Sequence, residues 1–231
     1  MSSRYTITTS ADQLKERFSV DITEAYKPTF NGAPTHILPV ITSEHPEGIS
    51  FFYWGATPNL ANNRAISQKL YGAKQGELLT KTSYRNALQS RRCLIPADGY
   101  YIWKKISKKG RTPYWIHLPN QQLMSFAGIW DEYEDEEGTM HHTFRMIIVE
   151  SNNIVESEED MPAILDIENE KSWLNESTSS DELIGMLKTY PSGKMECHSV
   201  SPSVGNSEVD TPDLIKHVPP ADQFGNYTLF S

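Results

Sequence analysis

RRCLIPADGYYIWKK, residues Arg91 to Lys105, decides how the chain is read. An unbroken apolar run from Cys93 is followed by Asp98-Gly99, a turn signal, and then by a strand in which aromatic residues dominate. Such a strand, turn, strand segment belongs to a β-rich domain, and the residues on either side agree. Upstream, Tyr5 to Thr9, His36 to Thr42 and Ser50 to Ala56 have strand character, and Pro34 closes a turn region. Downstream, Tyr114 to Leu118, Met124 to Tyr133 and Thr143 to Glu150 follow, with a last β-like stretch in CHSVSPSVGN. Helices are few and short. Ser10 followed by Gln13 forms a capping box that opens a helix through Phe18. Others are expected at Ser83 to Arg91, Glu168 to Asn175 and Ser180 to Thr189. Many antiparallel-looking strands with scattered helices indicate an α+β fold rather than a doubly wound parallel sheet.

The 231 residues, 38% of them hydrophobic, are enough for one sizeable core, and no Pro/Gly/Ser-rich linker divides them, so one domain over 1–231 is expected. No apolar run is long enough to span a membrane and no secretion signal opens the chain, which points to a soluble, cytoplasmic protein. Cys93 and Cys197 are too few for a disulfide framework and lack zinc-site spacing. No phosphate-binding glycine motif is present, and neither a metal nor an organic cofactor is expected.

A net charge of -9 argues at first against nucleic acid, but the charge is unevenly distributed. Residues 1–111 carry 16 Lys+Arg against 8 Asp+Glu, or +8, whereas residues 112–231 carry 5 against 22, or -17. That split is compatible with two faces, one that receives an anion and one that repels it, and equally with ordinary solvated surface. The basic run Lys104, Lys105, Lys108, Lys109 and Arg111 reads either as a solvated hairpin tip or as a track for phosphates. Trp54, Tyr100, Tyr101 and Trp103 are candidate stacking platforms for unpaired bases, although alternating aromatics in a hairpin are more often core. Asn62-Asn63-Arg64 lies in a polar loop able to hydrogen-bond a base edge or a phosphate. His141 and His142 point to opposite faces of a strand and read as surface. Cys93, despite following two arginines, sits in an apolar run and reads as a core thiol.

Taken in order, MSSRYTITTS, FNGAPT, YWGATP, NNR, YRNALQSRRCLIPADGYYIWKK, EEDMPAIL and VSPSVGN resemble the SRAP family, the SOS-response-associated peptidases or abasic-site processing proteins, from Arg4 to about Leu214. The resemblance implies a single SRAP-type domain, with a β-rich core of mostly antiparallel strands and short peripheral helices. It also implies a groove for single-stranded DNA and a covalent trap for the aldehyde of an abasic site, acting in the DNA damage response. In the family the reactive residue is a cysteine directly after the initiator methionine. Removal of that methionine exposes an α-amine, which attacks the aldehyde to form a Schiff base, and a thiol that closes a thiazolidine.

The chain departs from that pattern at the chemistry. Ser2 stands at the position of the cysteine, Ile102 at that of the glutamate in the aromatic strand, and Glu158 at that of the histidine four positions before Pro162. Asp160 replaces an arginine before the Met-Pro pair, and the loop after NNR differs around Ile66, with an insertion through Leu79. The binding residues are kept: Arg4, Asn62 and Arg64 match family DNA contacts, and Pro34 and Trp103 match an apolar pair that packs on the nucleotide. The leading expectation is a divergent member that binds single-stranded DNA, with peptidase-like and crosslinking activity weakened or lost. Two others stand beside it: a non-catalytic module for another ligand or protein, and an amine-dependent abasic-site lyase that uses Ser2.

Overall fold

The computed structural model of the protein describes residues 3–23, 25–58, 70–108, 110–155, 157, 160–222 and 224. Ser2, Asn62, Arg64, Ile66 and Glu158 lie outside the described residues.

The deciding stretch is not a hairpin. Strand β6 (Arg92–Ala97) and strand β7 (Gly99–Lys105) are separated by Asp98 alone, yet they belong to different sheets. β6 is buried along its whole length because it is paired on both edges, with β3 (Ile37–Thr42) and β9 (Met124–Glu134). β7 pairs instead with β1 (Tyr5–Ile7) and β8 (Arg111–His117). The chain therefore turns a corner from one sheet into the other at Asp98, and the true hairpin is β7–β8, whose last paired residues are Lys105 and Arg111.

The first sheet has the order β12-β8-β7-β1-β2, with β2 at Thr29–Gly32 and β12 at Glu196–Ser199. In the second, β10 (Met140–Val149) pairs both with β9 and, in parallel, with β4 (Ser50–Trp54), so the strands β10-β4-β3-β6-β9 close into a ring. β5 (Gly72–Lys74) and β11 (Met161–Pro162) extend β10. Tyr5, Ile7, Tyr100, Ile102 and Ile116 from the first sheet share one hydrophobic core with Val40, Trp54, Leu94, Phe126 and Phe144 from the second. Period-two alternation sends the intervening residues of the first sheet outward. There Tyr101 and Trp115 bury themselves under Val200, Val204 and Leu214 of the C-terminal segment, forming a second cluster that Phe30 and Trp103 flank.

The expected helices are present with small shifts of boundary. In α1 (Ala11–Phe18), Ser10 Oγ accepts from Gln13 N at 3.3 Å while Gln13 Oε1 accepts from Ser10 N at 3.1 Å, the reciprocal capping box. Its Leu14 enters the core. Helix α2 spans Thr82–Ser90, α3 Ile167–Leu174 and α4 Ser180–Met186. Buried Glu170 on α3 accepts two hydrogen bonds from Arg17 of α1, at 2.7 and 2.9 Å, and one from Ser125 at 2.7 Å. Arg92 is buried and donates to four carbonyl oxygens, those of Leu88, Gln89, Trp173 and Asn175, so it fastens α2 and α3 to β6 rather than meeting a phosphate. Among the described residues, no helix is long and apolar enough to cross a membrane.

Candidate nucleic-acid groove

Strand β1 is held by side-chain hydrogen bonds as well as by its ladders. Asp98, 3% exposed at the corner between the sheets, accepts from Thr6 Oγ1 at 2.5 Å, Thr8 N at 2.5 Å and Thr8 Oγ1 at 2.8 Å. Trp115 Nε1 donates to Thr6 Oγ1 at 3.1 Å, and the Tyr26 hydroxyl reaches the carbonyls of Ile7 and Thr9. Tyr101 N closes the series by donating to Arg4 O at 3.1 Å. These bonds reach every residue from Arg4 to Thr9 except Tyr5, which is paired with both Gly32 and Tyr100.

With Tyr5 and Ile7 turned into the core, Arg4 faces the side occupied by the second cluster. Its guanidinium donates to Ser3 O at 2.8 Å and to Gly205 O at 3.5 Å. Burial lowers the Arg4 pKa, and Tyr71 partly opposes that shift. Trp103 comes to the same place: a Cβ on Gly205 would stand 3.6 Å from its ring. Arg4 and Trp103 thus border one wall, the turn Pro202–Gly205. That wall is stitched to β2 by Asn31, whose Nδ2 donates to the carbonyls of Val204, Asn206 and Val209. Asp210 Oδ1 adds bonds from Phe30 N at 2.6 Å and Asn31 N at 2.9 Å.

Pro34 enters through β2. Gly32 lies opposite Tyr5, and the chain then turns at 33–36, where His36 N donates to Ala33 O and Thr35 N to Trp54 O. Thr35 adopts φ of 77°, a left-handed conformation costly for a β-branched residue, and the bond to Trp54 O holds it there. His36 is half-buried. Burial first and the charge of Arg4 second lower its pKa, with Asp210 opposing.

The structure separates the aromatic candidates. Trp54, Tyr100 and Tyr101 are fully buried and cannot stack on a base, whereas Trp103 is partly exposed at the edge of the second cluster. Ile102, on the opposite face of β7, is 1% exposed and packs in the main core, where it offers no proton. Asp160 is paired with Lys74 at 3.1 Å. Cys93 is buried and its thiol pKa is pushed up by desolvation, so it is not a nucleophile. His141 and His142 are partly exposed and face Asp135 and Glu132, at 2.7 and 3.5 Å. Among the described residues, no group of three or more His, Cys, Asp and Glu is placed to hold a metal ion.

The sequence reading missed Asp98, Asn31 and Asp210 as the residues that fix β1 and the Pro202–Gly205 turn around Arg4 and Trp103. The first two lie inside the quoted stretches RRCLIPADGYY and FNGAPT, so those motifs carry architecture as well as chemistry.

Residues 1–207 match the family model for the SOS response associated peptidase (SRAP). The chain is 35% identical over 222 residues to the abasic site processing protein YoqW of Bacillus subtilis, covering 94% of this chain and 99% of that one. It is 27% identical over 240 residues to the abasic site processing protein HMCES of Rattus norvegicus, covering 86% of this chain and 67% of that one. A crystal structure of a protein from Bacteroides thetaiotaomicron superposes with a TM-score of 0.81 at 23% identity, over 94% of this chain and 99% of that one, and so shares the fold.

Proposed function

This chain belongs to the SOS response associated peptidase (SRAP) family, and we propose on that footing that it binds single-stranded DNA at abasic sites, with the covalent chemistry of the family weakened. The observation that carries the reading is the convergence of Arg4 and Trp103 on Gly205, beside an amino-terminal strand clamped by Asp98. Arg4 supplies a permanent cation for a phosphate, and the exposed edge of Trp103 a surface for an unpaired base. The clamp on β1 fixes where Arg4 stands. In this reading the α-amine exposed by loss of Met1 attacks the aldehyde that an abasic site carries.

The weakening follows from the side chains. Ser2 has no thiol to close a thiazolidine, so an adduct at its amine stays a reversible imine or a weaker oxazolidine. Ile102 sits in the apolar core and transfers no proton, and general acid–base help of that kind is typically worth about 10² to 10⁴ in rate. Asn62, Arg64 and Pro34 complete the binding set in this reading, and Glu158 is the remaining candidate base.

The test uses the full chain freed of Met1 and a labelled single strand carrying one abasic site. Salt-sensitive binding that Arg4→Ala weakens, together with a covalent band visible only after borohydride, is the expected result. A parent protein that fails to bind, or an Arg4→Ala variant that binds as the parent does, overturns the reading.

A further inference from the structure

β2 runs antiparallel to β1 with Gly32 opposite Tyr5, so the chain leaving Gly32 passes the Arg4 end of β1. It turns there. Pro34 and Thr35 stand in the turn and His36 closes it, its N donating to Ala33 O at 3.0 Å and its O accepting from Trp54 N at 2.9 Å. Leu38 then returns to the same spot, since a Cβ on Gly32 would stand 3.3 Å from Leu38 Cδ1 and 3.1 Å from Tyr5 O. The backbone of His36 is thus pinned near the end of β1 that carries Arg4.

Its side chain is less committed. His198 and His117 each direct a ring nitrogen at a carbonyl, those of Ile215 and Leu118. The half-buried imidazole of His36 has no hydrogen-bond partner among the described residues. Among those residues, two charged groups bear on it. Arg4, from β1, disfavours the protonated ring, and Asp210, which caps the N–H groups of Phe30 and Asn31 on β2, favours it. Burial acts in the same sense as Arg4 and is the larger effect, so the free protein keeps this imidazole neutral. An oxyanion that pairs with Arg4 reverses that balance. It cancels the repulsion from the guanidinium and offers the ring an acceptor. A charge-assisted hydrogen bond is roughly twice as strong as a neutral one, which outweighs the further loss of water when a strand covers the ring.

We infer that His36 is a further contact to single-stranded DNA, an imidazole that takes up one proton from solvent as a backbone phosphate settles on Arg4. The proton adds to the free ring nitrogen, the ring becomes a cation, and no other reactant is consumed. Linkage fixes the sign: affinity is lowest above the titration midpoint of the bound state, climbs as pH falls through it, and levels off below the midpoint of the free protein. The inference rests on the DNA-binding reading above and adds to it a contact one position beyond the FNGAPT motif.

Fluorescence anisotropy with the full chain and oligothymidylate, at constant salt, tests it. Between about pH 8.5 and about pH 6.5 the affinity of the parent should rise about three- to tenfold, the gain when one midpoint moves up by about one pH unit or a little more. His36→Gln keeps a polar side chain, so it should match the parent at the alkaline end and lose that rise. His45→Gln, which removes an exposed imidazole elsewhere, should keep it. Nuclear magnetic resonance follows the ring directly in the parent: its midpoint should lie below about 6.5 in the free protein and above that value at saturating oligothymidylate. If His36→Gln keeps the rise, or if the midpoint stays or falls on saturation, the inference fails, while binding that Arg4→Ala weakens leaves the DNA reading standing. If His36→Gln weakens binding equally at every pH, the ring meets the strand as a neutral group and the proton linkage is overturned. A parent that binds the strand at no pH sinks the DNA reading and this inference with it.

Discussion

Asp98 and Thr8, 90 positions apart in sequence, are joined twice: the carboxylate accepts the backbone N–H of Thr8 at 2.5 Å and its hydroxyl at 2.8 Å. A third bond from Thr6 makes the carboxylate the fixed point from which the amino-terminal strand is hung. Asp98 is also the single residue between two sheets, so one side chain sets both the corner of the fold and the path of the strand that carries Arg4.

Asp98→Ala should therefore destabilise the protein by about 2 to 4 kcal/mol, since it strands the Thr6 hydroxyl and the Thr8 N–H in a largely dry corner. Urea denaturation measures the loss. Hydrogen exchange at residues 5–8 should accelerate by more than the change in global stability accounts for, because β1 would fray locally. An exchange rate at Thr8 unchanged from the parent would show that the ladder alone holds the strand.

Gly99→Ala is expected to cost more than an ordinary surface substitution. A Cβ there would run into the Trp115 indole at Nε1 and stand 2.9 Å from Ile116 O. The ring would have to leave Thr6 Oγ1, which it now meets at 3.1 Å, so the clamp on β1 loosens as well. A loss of about 2 to 3 kcal/mol, read by urea denaturation together with a change in tryptophan fluorescence, is the expected outcome. Gly76→Ala, where a Cβ meets nothing, is the comparison and should be close to neutral.

Much of the fold was legible in the sequence because period and punctuation carry it. The capping box at Ser10 and Gln13, the aromatic strand from Gly99 and the long strands near Met124 and Thr143 occur where their patterns place them. Asp98-Gly99 was misread as a hairpin turn because local turn chemistry does not say which strand a segment will pair with. A buried carboxylate at a corner between sheets carries the same two letters. β2, β5 and β11 span four, three and two residues, too short to display a period of their own. The split in charge was real, but its arithmetic hid the fact that Arg92 is spent on four internal carbonyls. Of the candidate site, Arg4 and Trp103 are proposed from the motif. Asn31 and Asp210 were not, since their roles are contacts of about 180 positions' separation that no local pattern encodes.

Acid should loosen the wall of the groove. Burial lowers the pKa of His198; the hydrogen bond of its Nε2 to Ile215 O at 2.8 Å opposes that shift, and His117 and His217, with ring centroids 5.6 and 5.9 Å away, add to it. His36 is lowered as well, by burial and by Arg4. Each imidazole is therefore more readily protonated in the unfolded chain, so stability is fully present above about pH 6.5 and is lost as pH falls below that value. The segment released first should be the one His198 ties down, around Leu214 and Ile215, which covers Trp115. The urea midpoint should drop between about pH 7.5 and about pH 5.5, and His198→Gln, which keeps a donor for Ile215 O, should flatten that drop. A parental midpoint independent of pH over this range would refute the assignment.

The proposed weakening of the chemistry is tested by restoring one group at a time. Ser2→Cys returns a thiol to the amine that loss of Met1 exposes, so a long-lived adduct with an abasic-site strand should form without borohydride, where the parent gives none. Adding Ile102→Glu supplies the missing acid–base group, but at a site 1% exposed and packed in the main core. Burying a carboxylate there should cost about 3 kcal/mol or more in urea denaturation at neutral pH, with much of the loss recovered as acid neutralises the new group. If the protein still folds, adduct formation about 10²-fold faster than with Ser2→Cys alone would show that a carboxylate at position 102 reaches the reacting amine, and an unchanged rate that its place on the core face of β7 keeps it away. The two measurements are separable, because stability is read without DNA and the rate is read at saturating DNA. A Ser2→Cys variant that binds the strand normally and forms no adduct would show that the amine does not reach the aldehyde, and the groove would then be a binding surface only.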